Sequence, residues 1–236
     1  LIKETNQSLA DTKVWLDTSA QFGPLVKPII TPRFVPSCTS ELMTGLAKLA
    51  KEYDVPVQSH LSENHGEIDW VASLHPESSN YTDVYYEHHL MGTVPTVMAH
   101  CIHLSDVEMD RMAETQTMVS HCPYSNVNLS SGIAPIRKLI ERNIPIGLGS
   151  DISGGHIVSM AKVLTEAIGL SKMKWAEVDP NYAPLTLSEA FYMATKGGGQ
   201  FFGHVGSFEK GYELDALIID DTSLFDPNER SLEARL

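Results

Sequence analysis

Apolar positions recur along the chain in two alternating rhythms. The run TSELMTGLAKLAKEY at 39–53 spaces them as one face of a helix, behind a cap at Thr39 or Ser40. VPVQSH at 55–60 then reads as a short, nearly continuous apolar strand. The exchange repeats downstream. TVMAHC at 96–101 is a strand, and SDVEMDRMAE at 105–114 is a helix with Ser105 and Glu108 in capping-box spacing. TMVSHCP at 117–123 is a strand, IAPIRKLIERN at 133–143 a helix, and IPIGLGSD at 144–151 a strand. Upstream, residues 1–20 are helical and KPIITPRF at 27–34 reads as a buried strand ending in a charge. Further helices are predicted at 63–75, 83–91, 156–171 and 186–196, and YELDALIID at 212–220 is a final strand of different character.

Strands that are apolar throughout need cover on both faces. Alternation with helices supplies it, so the fold class is α/β with a parallel sheet. The chain of 236 residues, 42% apolar, can bury a substantial core. Its formal net charge of −13 repels phosphate backbones, so no nucleic acid polymer is expected as a partner. No apolar stretch approaches the roughly 18–20 residues a membrane helix needs, and no membrane association is expected. The cysteines, Cys38, Cys101 and Cys122, make no CxxC pair, which points to a reducing, cytoplasmic setting rather than a disulfide framework.

The strands end in Arg33, His60, His100, His121 and Asp151. One histidine at a strand end is usually a hydrogen-bonded structural residue. A series of such ends is different, because the C-terminal strand ends of a closed parallel barrel converge on one rim. Imidazole and carboxylate are zinc ligands, and a catalytic zinc keeps a position open for water whose pKa it lowers. A carboxylate beside that water can carry its proton, and Glu63, just past His60, is placed for this. Taken alone, Glu63 reads better as a first-turn helix carboxylate favoured by the dipole.

In order along the chain, QSHLSE, MAHC, HCPYSN and LGSDISGG resemble the amidohydrolase superfamily in its zinc-dependent aminohydrolase branch. ITPRF upstream of QSHLSE narrows the resemblance to the guanine-deaminating members, and GSFEKGYELDALIIDD resembles the superfamily's return into a small β-domain. The resemblance implies a (β/α)8 TIM-type barrel of the metal-dependent hydrolases. Here residues 1–205 would be the C-terminal majority of an incomplete barrel that lacks its first strands, and 206–236 part of the β-domain. It implies one Zn2+ per site with His60 and Asp151 as ligands, Glu63 as the proton-shuttling acid/base, and His100 beside the activated water. Asp151 would also orient that water. Arg33 and Phe34 would hold a purine, in a pocket that His60, Glu63 and Asp151 share. A guanidinium can donate two parallel hydrogen bonds to an acceptor edge, and a phenyl ring can pack on the base. His121 and Asn126 would shape the rim, His121 structurally. The implied reaction is guanine plus water to xanthine plus ammonia, in a cytoplasmic homodimer. Arg33 with Phe34 favours guanine over adenosine derivatives, pterins or triazines. A catalytically silent scaffold or partner-binding chain is the rival from another class, and the intact set His60, Glu63, His100 and Asp151 argues against it.

The superfamily's HxH metal motif does not occur in the sequence, nor does the substrate-binding Gln that follows it. The chain opens without Met inside a helical pattern, so it is expected to be the larger C-terminal part of a longer enzyme and inactive alone. His65, His75, His88 and His89 read as solvated. Cys101 and Cys122 read as small buried fillers, and Met98, Met109, Met112, Met118 and Met160 as core.

Overall fold

A computed structural model describes residues 3–19 and 21–218. Its centre is a four-stranded sheet of β1 (Val57–Leu61), β2 (Thr96–His100), β3 (Met118–His121) and β4 (Ile146–Leu148), in sequential order. Every pairing is parallel: Val57 lies opposite Thr96, Val97 opposite Met118, and Val119 opposite Ile146. Sequential parallel order with a helix after each strand is an arc of a (β/α)8 barrel.

Helix α1 (Thr5–Ser19) and α2 (Ser40–Tyr53) precede the sheet. Thr39 caps α2, its hydroxyl accepting from the Leu42 N–H, and Asp54 ends the helix in the left-handed region at φ 50°. Met43, Leu46, Ala47 and Ala50 form its buried stripe. Helix α3 (His65–Leu74) is capped by Asn64, and α4 (Tyr81–Glu87) by Asn80. The capping box expected at Ser105 and Glu108 opens α5 (Asp106–Glu114). Glu108 also accepts from the Thr82 hydroxyl at 3.2 Å, tying α5 to α4. The chain continues through α6 (Pro123–Asn128), α7 (Ile136–Glu141), α8 (Met160–Glu177) and α9 (Leu187–Tyr192), and a π-turn (Met193–Gly197) follows.

The structure corrects several expectations. The strand expected at 27–34 shrinks to one bridge, Ile30 against Val57. Pro28 and Pro32 flank that bridge, and proline has no N–H for a ladder. The strand expected at 212–220 is irregular over 212–218, with Leu217 90% exposed: among the described residues it forms no ladder, only the Glu213 N–H donating to the His204 carbonyl at 2.8 Å. Residues 219 and 220, and most of the stretch assigned to a β-domain, lie outside the described residues. HCPYSN contains a helix start, α6, that periodicity did not announce. His75 is buried rather than solvated and sits edge-on to His88. Met160 is half-buried, whereas Met98, Met109, Met112 and Met118 are core, and Cys101 and Cys122 are buried as expected.

Among the described residues no helix is long and apolar enough to cross a membrane.

Candidate active site

His60, Glu63, His100 and Asp151 converge at the C-terminal ends of the strands. Simple strand alternation does not bring them together. His60 lies opposite Ala99, and His100 opposite Leu61, so regular pleating would send the two imidazoles to opposite faces. Yet their rings stack with centroids 5.3 Å apart. The backbone at His100 resolves the conflict. Its φ of 70° takes the residue out of the extended region and turns the side chain. Ser62 (φ 49°) and Asp151 (φ 43°) are left-handed as well. For residues with a Cβ this costs about 1–2 kcal/mol each, strain of the sort that gathers at functional sites.

Each side chain is oriented by a specific partner. The His60 Nδ1–H donates to the Arg33 carbonyl at 2.6 Å, so Nε2 carries the free lone pair. His100 is 1% exposed, and its Nδ1 bonds the Asn126 side-chain oxygen at 2.9 Å. That leaves His100 Nε2 facing two carboxylates, Glu63 Oε2 at 3.7 Å and Asp151 Oδ2 at 3.9 Å. With Nδ1 donating to Asn126, Nε2 can also donate only when the ring is an imidazolium. The Ser131 hydroxyl donates to Glu63 Oε1 at 3.1 Å. One carboxylate oxygen of Glu63 is therefore anchored while the other faces His100. Glycine clears the space beside Asp151, since a Cβ at Gly154 would lie 2.7 Å from Asp151 Oδ2.

His121 and Asn126 are both buried next to His100. His121 is buried, its Nδ1 has no partner among the described residues, and burial, with His100 alongside, pulls its pKa down to about 3. It is thus neutral at physiological pH. Burial likewise pushes the Cys122 thiol up to about 12, which makes it an inert filler rather than a nucleophile. His65 is exposed and stacks on His103 at 4.0 Å, and His103 donates through Nε2 to the Ser131 carbonyl. Arg33 is exposed, its guanidinium 5.8 Å from the Phe34 ring. Trp70 meets Phe34 edge-on at 6.3 Å and extends the aromatic wall.

His60 and Asp151 offer an imidazole nitrogen and a carboxylate, a donor set that suits zinc. Four ligands are usual, and among the described residues no three His, Cys, Asp or Glu side chains come close enough together to hold a metal ion. The set fits a metal as part of a larger shell.

The sequence profile of the amidohydrolase family matches residues 7–234. The chain belongs to the amidohydrolase family. Among curated amidohydrolase relatives, the guanine deaminase of Dictyostelium discoideum is 47% identical over 223 residues, covering 93% of this chain and 49% of that protein. Mouse guanine deaminase is 42% identical over 220 residues, covering 92% of this chain and 48% of its own length. A crystal structure of guanine deaminase from C. acetobutylicum with bound guanine in the active site superposes with a TM-score of 0.95. It is 51% identical and covers 99% of this chain and 55% of that one. The chain thus spans about half the length of the amidohydrolases it matches.

Several contacts had no signal in the sequence. Ser131 sits in a polar SSG loop, and Arg33 acts here through its carbonyl, which every residue has. Asn126 was visible in HCPYSN, but its bond to His100 was not.

Proposed function

We propose that the protein containing this chain hydrolyses guanine to xanthine and ammonia. The observation that carries this reading is the convergence of Glu63 and Asp151 on His100 Nε2, beside a His60 whose Nε2 is free. The similarity to guanine deaminases, one of them with bound guanine, supports the choice of substrate.

His60 and Asp151 would hold a Zn2+ ion together with further ligands that are not among the described residues. When bound, such an ion would supply a water that is acidic near neutral pH. The remaining work falls to the chain's own groups. Glu63, anchored through Oε1, takes one proton of the water on Oε2 and delivers it to the ring nitrogen, then carries the second, from the new hydroxyl on the attacked carbon, to the amine, which departs as ammonia. His100 offsets negative charge as the tetrahedral centre forms. Arg33 and Phe34, with Trp70 behind them, hold the purine plane and its acceptor edge.

The test is turnover of guanine by protein expressed from the complete reading frame, followed as loss of guanine absorbance with xanthine appearing. Turnover that disappears in Glu63→Gln is the expected result. A zinc-loaded protein that leaves guanine untouched and accepts another aminopurine, pterin or triazine would move the substrate and overturn the reading.

A further inference from the structure

Helix α4 presents two tyrosines one turn apart, Tyr81 and Tyr85. Both are buried, at 3% and 0% exposure, and their rings stack with centroids 5.6 Å apart and planes 15° apart. Neither hydroxyl serves its own helix. That of Tyr85 reaches the segment QSHLSE directly, and that of Tyr81 reaches it through Glu67.

The Tyr85 hydroxyl donates to the His60 carbonyl at 2.8 Å. It also meets the Ser59 hydroxyl at 2.7 Å, and Ser59 reaches the Pro32 carbonyl at 2.5 Å. Pro32 precedes Arg33, whose own carbonyl receives the His60 Nδ1–H. Each hydroxyl has one proton: with Tyr85 donating to the His60 carbonyl, the Ser59 proton is shared between the Tyr85 oxygen and the Pro32 carbonyl, so Tyr85 ties His60 at its backbone and Ser59 bridges that tie to the segment that orients the ring. The Tyr81 hydroxyl donates to Glu67 Oε1 at 2.7 Å, and Glu67 Oε2 accepts from the backbone N–H of Glu63 at 3.0 Å. Glu67 is itself buried, and its N–H is held by Asn64 Oδ1 at 2.9 Å. Glu63 follows Ser62, whose left-handed backbone needs an external tie to persist.

We propose that Tyr81 and Tyr85 are positioning residues: Tyr85 fixes the metal-side imidazole of His60, and Tyr81, through Glu67, fixes the acid/base Glu63. A phenylalanine pair would pack the same core without the cost of burying two hydroxyls, so the hydroxyls are accounted for by what they bind. The stacked rings make the two ties one rigid unit, which sets His60 and Glu63 relative to each other. The inference rests on the function proposed above for those two residues.

The experiment compares Tyr85→Phe, Ser59→Ala, Tyr81→Phe and Glu67→Gln in protein from the complete reading frame. It reads zinc retention against a chelator, kcat and KM for guanine, and melting temperature. Tyr85→Phe and Ser59→Ala are expected to release zinc about tenfold more readily, the usual scale for losing an outer-shell tie. Tyr81→Phe and Glu67→Gln are expected to keep zinc, hold KM, and lose about tenfold or more in kcat, because a misplaced acid/base slows only chemistry. Because each tie is tested by two variants, one that fails to fold leaves the other to decide. Folded variants with unchanged zinc retention and kcat, altered only in melting temperature, would reduce the tyrosines to packing and overturn the proposal. A wild type that ignores guanine while the Tyr85 and Ser59 variants still lose zinc would overturn the substrate but keep the Tyr85 tie. The same wild type with zinc retention unmoved would overturn both.

Discussion

Oε2 of Glu63 lies 3.7 Å from Nε2 of His100, and the other oxygen of that carboxylate is tied back by a hydroxyl. The carboxylate thus presents one working oxygen beside the imidazole. Glu63→Gln keeps the shape and removes the proton carrier. We expect kcat to fall by about 10²–10⁴-fold while guanine still binds, measured by steady-state kinetics and by titration of the inactive variant.

Ser131→Ala releases the anchored oxygen and lets the carboxylate rotate. A hydrogen bond to a charged group contributes about 1.5–3 kcal/mol. Only part of that is lost in the transition state, so kcat should fall about threefold to thirtyfold with KM nearly constant. An unchanged kcat would show that Glu63 is held by its backbone alone.

Arg33 has two separable parts. Its carbonyl orients His60 and survives any substitution, while its guanidinium is free beside Phe34. Arg33→Met should therefore raise KM for guanine about tenfold or more and leave zinc content intact. Loss of zinc in this variant would mean that the side chain, not the carbonyl, supports His60.

Away from the site, Glu189 joins α9 to α7 through a two-pronged pair with Arg137, at 2.7 and 2.9 Å. The Arg137 guanidinium, joined by the Thr186 cap, lowers the Glu189 carboxyl to about 2. A folded pKa below the unfolded value of 4.5 means the pair stabilises fully above about pH 4.5. That stabilisation is lost as pH falls through about 2. The pair is partly exposed, so its contribution is about 1 kcal/mol after screening. Glu189→Gln should lower the melting temperature at pH 7, and the difference from wild type should shrink steadily below pH 4.5.

Glycines at two places predict opposite signs. A Cβ at Gly147, in β4, would lie 2.9 Å from the Gly198 Cα and 2.7 Å from the Met118 methyl. Gly147→Ala should destabilise by about 1–3 kcal/mol, since the backbone of the π-turn region has no room to yield. Gly169, inside α8, has nothing within 4 Å of such a Cβ. Gly169→Ala should stabilise by about 0.5–1 kcal/mol through helix propensity. Thermal denaturation of the two variants side by side reads both signs.

Much of this protein is legible in its sequence. Hydrophobic rhythm located the strands that form the sheet, because burial on both faces forces continuous apolar runs. The caps at Thr39 and Ser105 were legible because they are local chemistry, a side chain meeting a backbone N–H a few residues on. His60, Glu63, His100 and Asp151 stood out because parallel strands deliver their C-terminal ends to one rim. What failed depended on partners. A strand at 27–34 needed N–H groups that Pro28 and Pro32 lack, and one over 212–218 needed a neighbour to pair with.

The sequence by itself determined which residue types reach the rim and in what order, since that follows from periodicity and strand direction. Tertiary structure decided which way they face and what holds them. The left-handed backbone at His100 overturned the alternation that pleating would impose. The ties from Asn126, Ser131, Tyr81, Tyr85 and the Arg33 carbonyl join segments that are distant in sequence, and no local pattern records a contact made only when the sheet has brought them together.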